Sequence, residues 1–155
     1  MVALRPMSGE EFERYLEPAI RDYGRMHHRA GISLKRAMAR ARKDYAELLP
    51  KGLQSPGHFL YSFFHQGKAI GMAWFELQRK EGRKKAFIFD INLRPAQRGK
   101  GLGRKALRAL EREAKRLGAQ MIGLHVFGHN LRARALYETS GYRYTSMHMS
   151  KSLRR

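Results

Sequence analysis

Residues 98–104 read Arg98-Gly99-Lys100-Gly101-Leu102-Gly103-Arg104, glycines alternating with basic or apolar side chains. Glycine lets the backbone approach a ligand closely, and a helix that starts here offers free N–H groups and the positive end of its dipole. That combination suits an anion. Each such helix-end interaction is worth about 0.3–1 kcal/mol, and a pyrophosphate engages several amides at once. A second pattern follows: Asn130-x-x-Ala133-x-x-Leu136-Tyr137-x-x-x-Gly141-Tyr142. Read alone it is an Asn helix cap, an apolar helix face and a terminating glycine. His27, His28, His58 and His65 fall on different predicted elements without paired ligand spacing, so no metal site is expected.

The elements around these residues can be read from periodicity. Ala86–Leu93 has the pattern of a strand ahead of the glycine loop, and Leu102–Leu117 that of an amphipathic helix after it, closed by Gly118. Ser8-Gly-Glu-Glu11 is a capping box for a first helix over about 9–24, and Ser33 precedes a second that ends at Pro50 and Gly52. His58–His65, Lys68–Leu77 and Lys85–Leu93 form a strand meander with turns at Gln66-Gly67 and Glu81-Gly82. A strand over 120–127, a short helix from Asn130 to about 139 and a last strand over 142–151 complete the order α-α-β-β-β-α-β-α-β. Met147 and Met149 alternate on that last strand and are expected in the core or along a cleft. A helix crosses between the strands ending at Leu93 and Phe127, so Asp90–Leu93 and Leu124–Phe127 are predicted adjacent and parallel.

Composition bounds the alternatives. The 155 residues are 43% hydrophobic, enough for one domain spanning 1–155 with a real core. No apolar run reaches the ~20 residues of a membrane span, no secretory leader is evident, and a cytoplasmic location is the expectation. The absence of cysteine excludes disulfides, thiolate metal ligands and a cysteine nucleophile. Lys and Arg total 32 against 13 acids, a net charge of +19. Such a charge fits either a strongly solvated surface or an acidic partner, nucleic acid or acidic protein, although the basic residues are scattered.

Together, in this order and on these elements, the two motifs resemble the GNAT N-acetyltransferase superfamily, most clearly over residues 86–151. The resemblance implies an α+β fold: a mixed central sheet with an antiparallel N-terminal meander, a splayed parallel pair in the middle and helices on both faces. It implies acetyl-CoA as co-substrate and acetyl transfer to a primary amine by direct attack on the thioester, without metal. Backbone of Ile91, Asn92 and Leu93 would hold the pantetheine arm, with the Leu93 amide on the thioester carbonyl. Arg98, Gly99, Lys100, Gly101, Leu102, Gly103 and Arg104 would hold the pyrophosphate, and Asn130 and Ala133 would border the arm.

Tyr137 would donate a proton to the departing thiolate. A phenol near pKa 10 is a weaker acid than a thiol near 8.5, so the transfer is slightly uphill unless the site lowers the phenol's pKa. The attacking amine, with pKa ~10.4, is neutral in only about one part in 2,500 at pH 7, a handicap of roughly 4.6 kcal/mol. One glutamate position used in the family holds Phe87 here, and another holds His125, which makes His125 the candidate base; Asp90, Glu76 and His129 are alternatives. The acceptor side is less specific. Tyr23, Tyr45, Phe59, Tyr61, Phe63 and Trp74 are available to line it or to pack in the core. The net charge disfavours polycationic acceptors unless acids cluster in the cleft, and suits an amine on an acidic body such as aminoacyl-tRNA or an acidic protein. A monomer or a homodimer is expected. A non-catalytic acyl-CoA or nucleic-acid binding module is the competing reading.

Overall fold

The structure, a computed structural model, describes residues 1–154. Five strands form one sheet in the order β1-β2-β3-β4-β5: β1 Val2–Pro6, β2 His58–His65, β3 Lys68–Lys80, β4 Arg83–Leu93 and β5 Met121–Leu124. The first four pair antiparallel and β4 pairs parallel with β5. Helices α1 (Gly9–Arg29) and α2 (Leu34–Leu48) cover one face, and α3 (Leu102–Arg116) covers the other, with α4 (Leu131–Thr139) beside it.

Local chemistry explains most boundaries. Ser8 Oγ accepts from the Glu11 amide at 3.2 Å and Glu11 accepts from the Ser8 amide at 3.0 Å, so the capping box forms. Ser62 of β2 donates to the same Glu11 carboxylate at 2.6 Å, tying the start of α1 to the sheet. Asn130 caps α4 by accepting from the Ala133 amide at 3.2 Å. Ser33 precedes α2 without a side-chain cap bond.

The two faces of the sheet differ in chemistry. Against α3 lie Phe63, Ile70, Phe75, Ala86 and Ile88, packed on Leu107 and Leu110. Truncating either leucine to alanine would cost about 2–5 kcal/mol. Against α1 and α2 lie Leu60, Trp74 and Phe89, packed on Ile20, Ala41 and Tyr45. Trp74 stacks on Phe89 at 4.6 Å and meets Tyr45 edge-on at 5.4 Å.

Three features depart from the sequence reading. β1 was not expected; Pro6 lacks a donor, which an edge strand tolerates. The parallel pairing joins Lys85–Ile88 to Met121–Leu124, rather than Asp90–Leu93 to Leu124–Phe127. Beyond Ile88, β4 runs on to Leu93 with none of the described residues paired on that side, and the two strands part. The last predicted strand is absent: residues 142–151 carry no strand, and Met147 and Met149 are exposed, not in a core.

Candidate functional site

The opening beside the end of β4 is a cavity of about 560 Å³. One wall is Ile91, Asn92 and Leu93 of β4; the floor is Arg98, Gly99, Gly101, Gly103 and Arg104; the far wall is Asn130, Ala133, Leu136 and Tyr137 of α4. Ala106 and Arg132, which the motifs did not single out, also line it. Of the residues expected to bind a cofactor, Lys100 and Leu102 do not line the cavity. Lys100 is exposed, and the Leu102 side chain is buried against the sheet, so either could contribute only through its backbone.

Backbone conformation makes the floor. Gly99 and Gly101 both have φ of 74°, in the left-handed region. A Cβ added at either meets nothing within 4 Å, so the requirement is conformational and the space beside the loop is open. Gly101 starts α3 without a side-chain cap bond, which leaves the first amides of the helix available to an anion. Arg98 donates from Nε to the Leu93 carbonyl at 3.0 Å and from its guanidinium to Asn92 Oδ1 at 2.9 Å. It therefore clamps the loop to β4 as well as adding charge. Arg104 reaches Thr139 Oγ1 at 2.9 Å and ties the start of α3 to the end of α4.

By backbone hydrogen bonds the rim of β4 is held from the β3 side, with Arg98 the side chain that reaches it from the loop. The Arg94 amide donates to the Ile70 carbonyl at 2.8 Å. Amides alternate along a strand, so the preceding Leu93 N–H points away from β3, towards the gap left by β5. On the β3 side the fit is tight. A Cβ on Gly71 would lie 2.1 Å from the Asn92 carbonyl oxygen and 2.9 Å from Leu93 Cα. The sequence reading missed Gly71, because an isolated strand glycine carries no sign of what approaches it.

A register shift turns Asp90 towards the other helices. Trp74 pairs with Asp90 and Phe75 with Ile88, so Phe89 is an extra residue between them. Ile88 faces α3, and without the bulge Asp90 would face it too. With it, Asp90 lies under α1, where the Tyr15 hydroxyl donates to its Oδ2 at 2.7 Å. Burial, partly offset by that hydrogen bond, pushes the Asp90 carboxyl up to about 6. Burial, and after it the Asp90 charge, push the Tyr137 phenol up to about 12. Tyr15 and Tyr45 are raised by burial first and by Asp90 next, so both phenols stay protonated near neutral pH.

The other candidate bases sit elsewhere. His125 lies past the end of β5, exposed and outside the cavity lining, with its ring edge-on to Phe127 at 5.2 Å. Its predicted strand position does not exist, because β5 ends at Leu124. Glu76 is engaged by His58 at 3.7 Å and by Gln78 at 2.9 Å. His129 Nε2 faces the Met26 carbonyl at 3.4 Å. The six aromatic candidates divide. Tyr23, Tyr45 and Trp74 border a small cavity of about 30 Å³ with Asp44 and Phe89, whereas Phe59, Tyr61 and Phe63 pack on the α3 face. Among the described residues, no group of three or more His, Cys, Asp or Glu is placed to hold a metal, and no helix is long and apolar enough to cross a membrane.

Comparison with known proteins places this geometry. A family model described as Acetyltransferase (GNAT) family matches residues 14–142. The chain is 36% identical over 154 residues to the uncharacterised N-acetyltransferase YycN of Bacillus subtilis, covering 98% of this chain and 99% of that one. It is 34% identical over 152 residues to YdgE of the same organism, likewise an uncharacterised N-acetyltransferase, covering 97% of each. A crystal structure of Bacillus subtilis YycN has a TM-score of 0.95 at 35% identity, with 100% of both chains covered. The fold alone is shared with AAC(6')-Iy, solved in complex with the bisubstrate analogue CoA-S-monomethyl-acetylneamine, at a TM-score of 0.60 and 18% identity over 100% of this chain and 99% of that one.

Proposed function

The chain belongs to the GNAT acetyltransferase family, and from that premise we propose that it moves an acetyl group from acetyl-CoA to a primary amine by direct attack on the thioester. One observation carries the reading. The anion-suited loop and the half-buried Asp90–Tyr15 pair lie on opposite sides of β4 at the point where β5 leaves it. The cofactor enters from the α3–α4 side, the amine from the α1–α2 side, and they meet in the gap.

The residues present suit the pyrophosphate and the arm. The amides after Gly99 and Gly101 and the first turn of α3 take the pyrophosphate, with Arg98 and Arg104 adding charge. Asn130 uses its Oδ1 as a cap, which leaves its amide NH₂ for the pantetheine arm beside Ala133. The Leu93 N–H polarises the thioester carbonyl and stabilises the oxyanion as the amine adds.

Asp90, and not His125, is the base. At pH 7 a carboxyl near pKa 6 is mostly ionised, and Tyr15 occupies Oδ2. The Ile91 amide also steadies the carboxylate, which takes the amine proton through a water. The neutral nitrogen forms the C–N bond, the oxyanion collapses, and the C–S bond breaks with the electron pair left on sulfur. Tyr137 differs from the sequence expectation, because its environment raises the phenol instead of lowering it. Full transfer from a phenol near 12 to a thiolate near 8.5 is uphill by about 5 kcal/mol. Tyr137 therefore acts by donating a hydrogen bond to the departing sulfur, and solvent completes the protonation.

The test is acetyl-CoA offered with a panel of primary amines while free thiol is measured. Amine-dependent thiol release is expected. Saturable acetyl-CoA binding with no turnover across a broad panel would leave a binding module, and no saturable binding would remove the loop assignment.

A further inference from the structure

The register shift at Phe89 sets two consecutive side chains on one face. Asp90 meets Tyr15, and its neighbour Phe89 packs with the α1–α2 core, stacked on Trp74. Beside Phe89, the sheet and the two helices leave the second cavity, about 30 Å³, lined by Tyr23, Asp44, Tyr45, Leu48, Trp74 and Phe89. Its walls are mostly aromatic, with one carboxylate. Tyr45 is inclined by 60° to Trp74 and Tyr23 by 62° to Tyr45, so the rings form a corner and not a stack. The Trp74 N–H is taken by His58 Nδ1 at 3.0 Å, which leaves the cavity the indole ring surface.

The electrostatics of this corner favour a cation. Ring faces carry negative potential, and burial followed by the Asp44 charge raises the Tyr23 phenol, which therefore stays neutral. Asp22 is paired with Arg25 at 3.1 Å, whereas Arg40 Nε lies 3.9 Å from Asp44 Oδ2, at the outer limit of an ion pair. In a chain of net charge +19, an aromatic corner closed by a carboxylate is a local exception. It meets the condition under which a polycationic acceptor is tolerated, acid within the cleft. A water needs roughly 10–15 Å³, so about 30 Å³ admits an ammonium group with the methylene that carries it.

We propose that this cavity is a second anchor for the acceptor, holding an alkylammonium group of the molecule whose other amine reacts at the gap, so that the acceptor is a linear diamine. The proposal rests on the transfer reading above, with the amine entering from the α1–α2 side. One nitrogen gives its proton towards Asp90 and takes the acetyl group. The other stays protonated against Asp44 and the rings. Leu93, whose amide meets the thioester, lies four residues beyond Phe89 with Asp90 between them, so the span to bridge is no more than about 13 Å.

Trp74 is the single tryptophan of the chain, so its emission reports on the cavity without turnover. Diaminobutane, diaminohexane and diaminooctane are titrated without acetyl-CoA, each beside its matched monoamine. At least one diamine should change the emission saturably, with a midpoint about 10-fold below that of its monoamine. Asp44→Asn should remove the difference, and Asp44→Glu, which keeps the charge, should retain it. In turnover the same diamine should have a KM about 10-fold below the monoamine's, and Asp44→Asn should raise that KM more than it changes kcat. Equal emission midpoints for diamines and monoamines overturn the proposal, as does a preference that survives Asp44→Asn. Thiol release as efficient with monoamines as with diamines overturns the anchor and leaves acetyl transfer standing. Absence of release with every amine strikes the transfer reading instead, and the emission midpoints then decide what the cavity holds.

Discussion

The two strand pairs that share β4 are built differently. The β3–β4 pair is antiparallel, runs from Lys80↔Arg83 to Gly71↔Leu93, and carries the register shift at Phe89. The β4–β5 pair is parallel, covers Lys85–Ile88 only, and then ends. One side fixes the position of β4 and the other leaves it bare. A ligand that needs strand-like backbone partners at a defined place requires both: a rigid donor strand and a vacant neighbour. The shift adds something neither pair has alone. By inserting one residue it turns Asp90 from the aliphatic α3 face to the aromatic and polar face under α1.

Removing the carboxylate should have the largest effect. Asp90→Asn keeps the volume and can still accept from Tyr15, so the fold should survive, and turnover should fall about 10²–10⁴-fold. In the wild-type chain kcat/KM should drop as pH falls through about 6, and the variant should lack that limb. Stability should move the other way. The Asp90 carboxyl is raised in the folded chain from 3.8 to about 6. The native state therefore binds more protons than the unfolded chain in that window, and stability falls as pH rises through it. At pH 7 the wild type carries the whole penalty, on the order of 2–3 kcal/mol. Asp90→Asn should melt higher at pH 7, and the advantage should vanish below pH 4. A variant with normal turnover would dissolve the contrast between the two faces.

A smaller loss should follow from crowding the rigid pair. Gly71→Ala places a methyl against the Asn92 carbonyl and must move the end of β4. An error of about 1 Å in positioning can cost about 10²-fold in rate. Gly9→Ala is the control, since its Cβ would meet nothing within 4 Å and the residue lies outside the cavity. Acetyl-CoA affinity and kcat should fall in the first and stay within about 2-fold in the second. Equal behaviour of the two would mean that β4 is not positioned from the β3 side.

Legibility divided along the same line. The glycine loop, α3, Gly118 and the Asn130 cap were readable because each rests on local chemistry: a turn that needs positive φ, an amphipathic period, a side chain that reaches its own helix. Thirteen positions were expected at the cofactor, and most of the cavity lining lies among them. What was not readable depends on pairing between distant segments. The place where β4 and β5 part, the extra residue at Phe89 and the close approach at Gly71 are properties of two strands at once. Asp90 illustrates this: alternation along β4 alone puts it on the α3 face, and only the partner's register puts it under Tyr15. The tail failed for a related reason. Its alternation predicts a strand, but a strand needs an edge to pair with, and the alternation of one segment does not supply it.

Tyr137 borders the bare side, and its substitution sharpens what that side contributes. Tyr137→Phe should lower kcat about 10-fold while leaving acetyl-CoA affinity nearly unchanged, because one hydrogen bond made mainly to developing charge is lost. Equal loss in kcat and affinity would make it a binding residue. A loss of about 10⁴-fold would restore full proton transfer as its task.

His125→Ala should change least. The side chain is exposed, lies outside the cavity and meets Phe127 edge-on. Surface substitutions of that kind usually shift stability by less than about 0.5 kcal/mol, and turnover should stay within about 2-fold. The informative measurement is the acidic limb. If Asp90 is the base, the limb persists in His125→Ala and disappears in Asp90→Asn. If the limb disappears with the histidine instead, deprotonation occurs at the β5 end of the gap, and the half-buried carboxylate serves only to hold Tyr15. The two variants therefore decide which of the strands flanking the opening supplies the base.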